Sequence, residues 1–242
     1  MTLVAQNLVK HFGGVKAVDD FSLVVHPGEI LGLIGPNGAG KTTSFNLLTG
    51  RIVADAGVVT LDDVEVTRAK PWKRAKQGLA RTFQHTSLFP GLSFSDNMTV
   101  AFAATSRLRR AERTSRLLEL TELLDLEDIA SSHMVGEMSY GVQRRMSIAI
   151  ALANRPKYIL LDEPAAGLNS EEGHHLGEAI QAVAASGVGV VLVEHDLELV
   201  GRVCSHVSVL AAGRPIFSGD FRDALRDSRV VASYLGGGVA DA

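Results

Sequence analysis

The chain has 242 residues, 46% of them hydrophobic and 21% charged, with a formal net charge of -3. That balance supports a packed core and argues against disorder, and without a net positive field nucleic acid is a poor expectation as partner. The single cysteine, Cys204, cannot close an internal disulfide and reads as a buried apolar thiol in a reducing compartment.

In chain order, Met1 to Lys10 lacks the basic start and continuous apolar centre of a secretory signal. Leu3, Leu8 and Val9, then Val15 to Val25, then the apolar run Ile30 to Ile34 read as strands, with Pro27-Gly28 turning the chain before the last. Thr42 to Thr49 carries Phe45 and Leu48 at helical spacing and ends at Gly50, where a helix C-cap falls. Val58 to Leu61 and Leu79 to Phe83 read as further strands. From residue 93 to 154 strand character disappears, and Leu117, Leu120 and Leu124 make an apolar helical face. Strands return at Tyr158 to Leu161 and Val188 to Val193 around a helix from about Ser170 to Ala185, then at Ser205 to Ala211 and Pro215 to Phe217. Such alternation predicts an α/β fold with a parallel sheet and right-handed crossovers. The uncharged stretch Ala179 to Val193, interrupted by Gly187 and Gly189, falls short of the roughly 18 residues of a spanning helix, so any membrane role is expected to come through a partner.

Gly35-Pro36-Asn37-Gly38-Ala39-Gly40-Lys41-Thr42 matches G-x-x-x-x-G-K-[ST] in full, between a strand and a helix. Small residues let backbone N-H groups turn inward around phosphate oxygens, and the helix start adds its positive dipole end. Lys41 supplies a point charge to the outer phosphates, and the Thr42 hydroxyl is a hard oxygen suited to Mg²⁺. Further on, the apolar run Tyr158 to Leu161 delivers Asp162 and Glu163 at its C-terminal end, where open α/β sheets place ligands. Asp162 is expected to hold the metal through its water shell and Glu163 to orient or deprotonate the attacking water. Capping of the following loop is the plainer role open to Asp162.

Met138-Ser139-Tyr140-Gly141-Val142 adds specificity, because it resembles the L-S-G-G-Q signature of ATP-binding cassette proteins, with Ser139 and Gly141 retained. The resemblance implies an ATP-hydrolysing P-loop cassette: an N-terminal antiparallel β portion, a parallel-sheet core and an inserted helical subdomain. It places residues 1–92 and 156–235 in the catalytic core of a single domain, 93–155 in the helical insertion, and 236–242 in a mobile tail. ATP is implied at Gly35 to Thr42 and Thr43, with Phe12 against adenine and Mg²⁺ held by Thr42, Gln84 and Asp162. His195 is implied at the γ-phosphate, holding the attacking water, and Ser139 with its helix start at the nucleotide of a second protomer. The implied partners are that protomer, identical or a sister ATPase, and transmembrane permease subunits, with a solute-binding protein reached indirectly. The implied location is the cytoplasmic face of the plasma membrane. One departure stands out: where the family commonly has Asp, the loop Ala166-Gly167-Leu168-Asn169 ends in Asn, which keeps an acceptor oxygen and drops the charge.

Arg81-Thr82-Phe83-Gln84-His85, Leu88-Phe89, Pro164 to Asn169 and Ser233-Tyr234-Leu235-Gly236 look most like the ATPases of branched-chain amino acid importers. Relatives serving urea uptake or lipopolysaccharide extraction share much of this pattern. Leu88, Phe89 and Leu92 are either a permease-docking surface or core. A DNA-repair ATPase of this family needs long coiled coils, for which the segment between Lys41 and Ser139 leaves no room. The arginines at 107, 109, 110, 113 and 116 share their segment with Glu112, Glu119 and Glu122, and are expected on a solvated helix face. A module that binds ATP without hydrolysis is disfavoured by Glu163.

Overall fold

The computed structural model describes residues 1–82, 88–105, 108–127 and 134–236, with the backbone alone at 104, 105 and 236. β1 (Leu3–Phe12), β2 (Val15–Val25), β4 (Ala56–Leu61) and β5 (Val64–Glu65) form an antiparallel sheet in the order β2-β1-β4-β5. β3 (Ile30–Ile34), β6 (Leu79–Arg81), β7 (Tyr158–Asp162), β8 (Gly189–Val193), β9 (His206–Ala211) and β10 (Arg214–Asp220) form the second sheet, in the order β10-β9-β3-β8-β7-β6. Its pairs are parallel except β9 with β10.

Every residue of β3, β7 and β8 is buried, which is why these strands read as unbroken apolar runs. Their side chains alternate between two cores. Ile30, Ile34, Ile159, Leu161, Val190 and Leu192 face one core, shared with helix residues such as Phe94, Leu120, Met146 and Ile180. Leu31, Leu33, Leu160, Val191 and Val193 face the other, shared with Leu3, Phe21, Val59 and Phe45. The parallel sheet is thus sandwiched between helices and the antiparallel sheet, as the α/β expectation requires.

α1 (Lys41–Thr49) follows β3 and closes on Gly50 in a left-handed C-cap. α2 (Pro71–Lys76) precedes β6; α3 (Phe94–Thr105), α4 (Arg110–Leu123) and α5 (Tyr140–Leu152) lie between β6 and β7. α6 (Ser170–Ala185) joins β7 to β8, and α7 (Leu197–Val203) joins β8 to β9. α8 (Phe221–Ala224) and α9 (Ser228–Gly236) end the described chain. The strand expected over Leu79 to Phe83 extends to Arg81, Phe83 lying outside the described residues, as does the tail from 237.

One expectation on the helical segment fails. Arg116, assigned to a solvated face, is 5% exposed. Its guanidinium bonds Glu119 at 2.5 Å and the Leu152 carbonyl at 2.7 Å, tying α4 to the C-terminus of α5. Arg109 and Arg110 are exposed, and Arg107 lies outside the described residues. Leu120 and Leu124 are fully buried as the helical spacing predicts, and Cys204 is buried, its thiol pushed up to about 12 chiefly by desolvation. Among the described residues no helix is long and apolar enough to cross a membrane.

Candidate nucleotide site

The loop Gly35 to Gly40 leaves β3 at the C-terminal edge of the parallel sheet and enters α1. Gly40 caps the helix in a left-handed conformation (φ 99) and has no side chain to accept from the first-turn amides, which remain donors for an anion. A Cβ there would sit 2.5 Å from the Ala17 carbonyl oxygen, so the close approach of β2 to the loop requires glycine. Asn37 to Thr43 line an open cavity of about 440 Å³ together with Val15, Lys16, Ala17, Glu163, His195, Ala212 and Gly213. Gly35 and Pro36 reach it through Lys41: its ammonium donates to their carbonyls at 2.6 and 2.9 Å. Burial lowers the Lys41 pKa, against a smaller opposing pull from the Glu163 carboxylate. A ligand phosphate would take over donors that now face backbone oxygens.

Glu163 and His195 meet across the cavity wall, Glu163 Oε1 lying 2.9 Å from His195 Nε2. Glu163 stands just past β7 at φ 47, a left-handed conformation that is costly for a side chain of its size and common where a catalytic group must be aimed. Sequence reasoning placed both residues in the site and missed their direct contact.

Glu194, also unread in the sequence, is 3% exposed and accepts from Ala165 N at 2.6 Å and His195 N at 3.2 Å. It joins the loop after Glu163 to the segment bearing His195. Burial raises its pKa, with those backbone donors opposing.

Asp162 is met by Arg81, whose Nη2 donates to Asp162 Oδ2 at 2.6 Å, both side chains being 9% exposed. The other terminal nitrogen of Arg81 reaches Asn46 Oδ1 at 2.7 Å, so α1, β6 and β7 are tied by one guanidinium. The Thr42 side chain, by contrast, is exposed in the cavity. The Thr42 hydroxyl and the Asp162 carboxylate are both hard oxygen groups of the kind Mg²⁺ takes, an ion that uses few protein ligands and completes its shell from phosphates and water, but Asp162, 7% exposed, is not among the residues lining the cavity. Among the described residues no cluster of His, Cys, Asp and Glu forms a dedicated metal cage.

Other expected residues fall elsewhere. Gln84 lies outside the described residues. Phe12 is 51% exposed at the end of β1, its ring 5.7 Å from Lys10 Nζ, and the cavity is lined instead by Val15 to Ala17 of the neighbouring strand. Ser139 and Gly141 are absent from the cavity lining. Ser139 caps α5, accepting from Val142 N at 3.4 Å, and Gly141 N donates to Glu172 Oε1 at 3.1 Å. Tyr140, standing where the signature has its first glycine, packs on Gly167, and Arg144 bonds its hydroxyl at 2.6 Å. Asn169 caps α6, accepting from Glu172 N at 2.9 Å.

A phosphate loop at a sheet's C-terminal edge with a carboxylate and histidine opposite it defines a P-loop nucleotide hydrolase. The family described as ABC transporter matches residues 18–166, more than half of the chain, and the chain belongs to it. It is 37% identical over 235 residues to the lipopolysaccharide export system ATP-binding protein LptB of Escherichia coli, covering 97% of each chain. It is 36% identical over 249 residues, again 97% of each, to the high-affinity branched-chain amino acid transport ATP-binding protein BraF of Pseudomonas aeruginosa. Among solved structures it resembles the ADP conformation of MJ1267, an ATP-binding cassette of an ABC transporter (TM-score 0.90, 29% identity, 98% and 99% of the two chains). It also resembles the dimeric cassette MJ0796 (TM-score 0.77, 27% identity, 92% and 99%). The chain is an ATP-binding, ATP-hydrolysing transporter subunit.

Proposed function

We propose that this subunit powers a membrane permease for branched-chain or other hydrophobic amino acids, by closing on ATP as a dimer and opening after hydrolysis. The contact between Glu163 and His195 at 2.9 Å, facing Lys41 across one cavity, is the observation that carries the catalytic part. Similarity to BraF supports the amino-acid part. Similarity to LptB favours lipopolysaccharide export as the second reading.

In this mechanism the amides of residues 37–43 and the Lys41 ammonium hold the β- and γ-phosphates. Lys41 leaves the Gly35 and Pro36 carbonyls to do so, which neutralises phosphate charge as it develops. Thr42, Asp162 and Gln84 would hold Mg²⁺, which would supply neutralisation of phosphate charge. Glu163 accepts a proton from the attacking water or orients it, and His195 Nε2 fixes the carboxylate and reaches the γ-phosphate. Phe12 is assigned to the adenine edge. Ser139 and the start of α5 serve the nucleotide of a second protomer, consistent with the exposure of Ser139 and Tyr140 away from this chain's own cavity; Gly141 behind them is buried. The dimeric state of MJ0796 supports that arrangement. Residues 93–155, as a helical subdomain, and the Gln84 segment pass the motion to permease subunits, which hold the protein at the cytoplasmic membrane face. A solute-binding protein is reached through the permease.

Glu163→Gln tests the core of the proposal. The variant keeps ATP affinity, accumulates as a nucleotide-bound dimer and loses turnover by about 10²–10⁴-fold. Turnover at the wild-type rate would remove Glu163 from the mechanism. For the solute, uptake of labelled leucine by cells that lack and then regain this subunit separates import from lipopolysaccharide export.

A further inference from the structure

Between Val66 and Ser95 the sequence carries six Lys and Arg side chains and no Asp or Glu, in a chain whose net charge is -3. Four of them, Arg68, Lys70, Lys73 and Lys76, are exposed on and around α2, and among the described residues no ion pair engages them. Trp72 stands among them, 54% exposed. The ammonium groups of Lys73 and Lys76 lie 5.5 and 5.1 Å from its ring centroid.

α2 is not free to roll and hide this indole. Its only buried side chain is Arg74, 1% exposed. That guanidinium donates to the carbonyls of Leu47 at 2.7 Å, Leu48 at 2.6 Å, Thr67 at 2.8 Å and Ala69 at 3.1 Å. Two of these acceptors are in the last turn of α1, where a cation also meets the negative end of the helix dipole. The pin turns Arg74 inward and Trp72 with its lysines outward.

A solvated basic face needs no indole, and an indole serving the core is not half-exposed between ammonium groups. The combination suits a water-lipid boundary, where an amphipathic ring sits at headgroup depth and flanking Lys and Arg meet phosphates. We propose that the outer face of α2 rests directly on an anionic lipid surface, Arg68, Lys70, Lys73 and Lys76 on the headgroup phosphates and Trp72 at the interface. This goes beyond attachment through permease subunits, because it places lipid against the ATPase itself. Through Arg74 the contact is braced on the helix that begins at the phosphate loop.

Trp72 is the only tryptophan of the chain, so its intrinsic emission reads this one position. The full chain is mixed with vesicles of phosphatidylcholine alone or with phosphatidylglycerol, and emission and co-flotation are followed. The expected result is a blue shift and flotation with the anionic vesicles only, both reversed by raised salt. Lys73→Glu with Lys76→Glu weakens partitioning by about tenfold or more and leaves Mg-ATP hydrolysis unchanged. The proposal is overturned by absence of binding to anionic vesicles, by binding with unshifted emission, or by equal binding of the double variant. An equal shift with soluble polyglutamate would overturn it too, reassigning the face to an acidic protein segment. Because the vesicles contain no permease, failure here leaves the catalytic proposal standing.

Discussion

The amide of Gly141 donates to Glu172 Oε1 at 3.1 Å while the other oxygen of that carboxylate accepts from Asn169 N at 3.3 Å. One side chain therefore serves the first turn of α5 and the cap of α6. The fit is close, since a Cβ at Gly141 would stand 2.9 Å from Glu172 Cβ. These donors, with Gly141 first and then Asn169 and the Ser139 hydroxyl, lower the Glu172 pKa.

A depressed carboxyl pKa contributes stability that is complete above the unfolded value, about 4.3, and is lost as pH falls through the folded value. Glu172→Gln is expected to melt below the wild type at neutral pH, with the gap closing as pH drops below about 4.3. Melting curves of both proteins across pH decide it; a gap independent of pH would mean that the charge plays no part.

His195→Ala is expected to lower turnover by about 10²-fold or more while leaving ATP affinity near the wild-type value. Because His195 and Glu163 share one contact while His195 also reaches the γ-phosphate, the double variant with Glu163→Gln should fall below Glu163→Gln alone by less than the single His195→Ala loss. Fully multiplicative losses would show two independent roles.

Lys41→Met separates binding from folding. Without nucleotide the variant is expected to melt no lower than the wild type, because it removes a desolvated charge. Its affinity for ATP should fall by roughly 10- to 100-fold, the scale of a lost charge-assisted contact of about 1.5–3 kcal/mol. Titration calorimetry and a melting curve on the same sample test both halves.

Arg81→Ala leaves the Asp162 carboxylate buried without its cation, a loss of about 3–5 kcal/mol. Removing both charges, with Arg81→Met and Asp162→Asn, should restore part of that stability. Urea denaturation reads both, and a double variant less stable than Arg81→Ala would refute the pairing as the cause.

The phosphate loop, the apolar strands and the Asp162-Glu163 pair were legible because their signals are local. A run of buried side chains or a turn of small residues can be read within ten positions. Arg81 with Asp162 is 81 positions apart, Glu163 with His195 32, and Gly141 with Glu172 31. Such pairs exist only once the strand order is known. Arg116 misled because a charge at helical spacing among other charges gives no hint that a neighbouring helix ends above it with an unsatisfied carbonyl. α2 went unread for a related reason: Arg74 is its sole buried side chain, so it has no apolar period to detect. Gln84, legible as a motif, lies outside the described residues.

The phosphate loop follows β3, His195 follows β8 and Glu163 follows β7, three strands joined side by side. Neighbouring strands sit about 4.8 Å apart, so backbone hydrogen bonding sets a gauge of roughly 10 Å between the strand that carries the phosphate loop and the strand that carries Glu163. A nucleotide one phosphate shorter, seated on the same amides, would bring no scissile bond to the far end of that gauge. On the roles proposed above, discrimination of triphosphate from diphosphate would follow from sheet spacing, which no single side-chain exchange rescales.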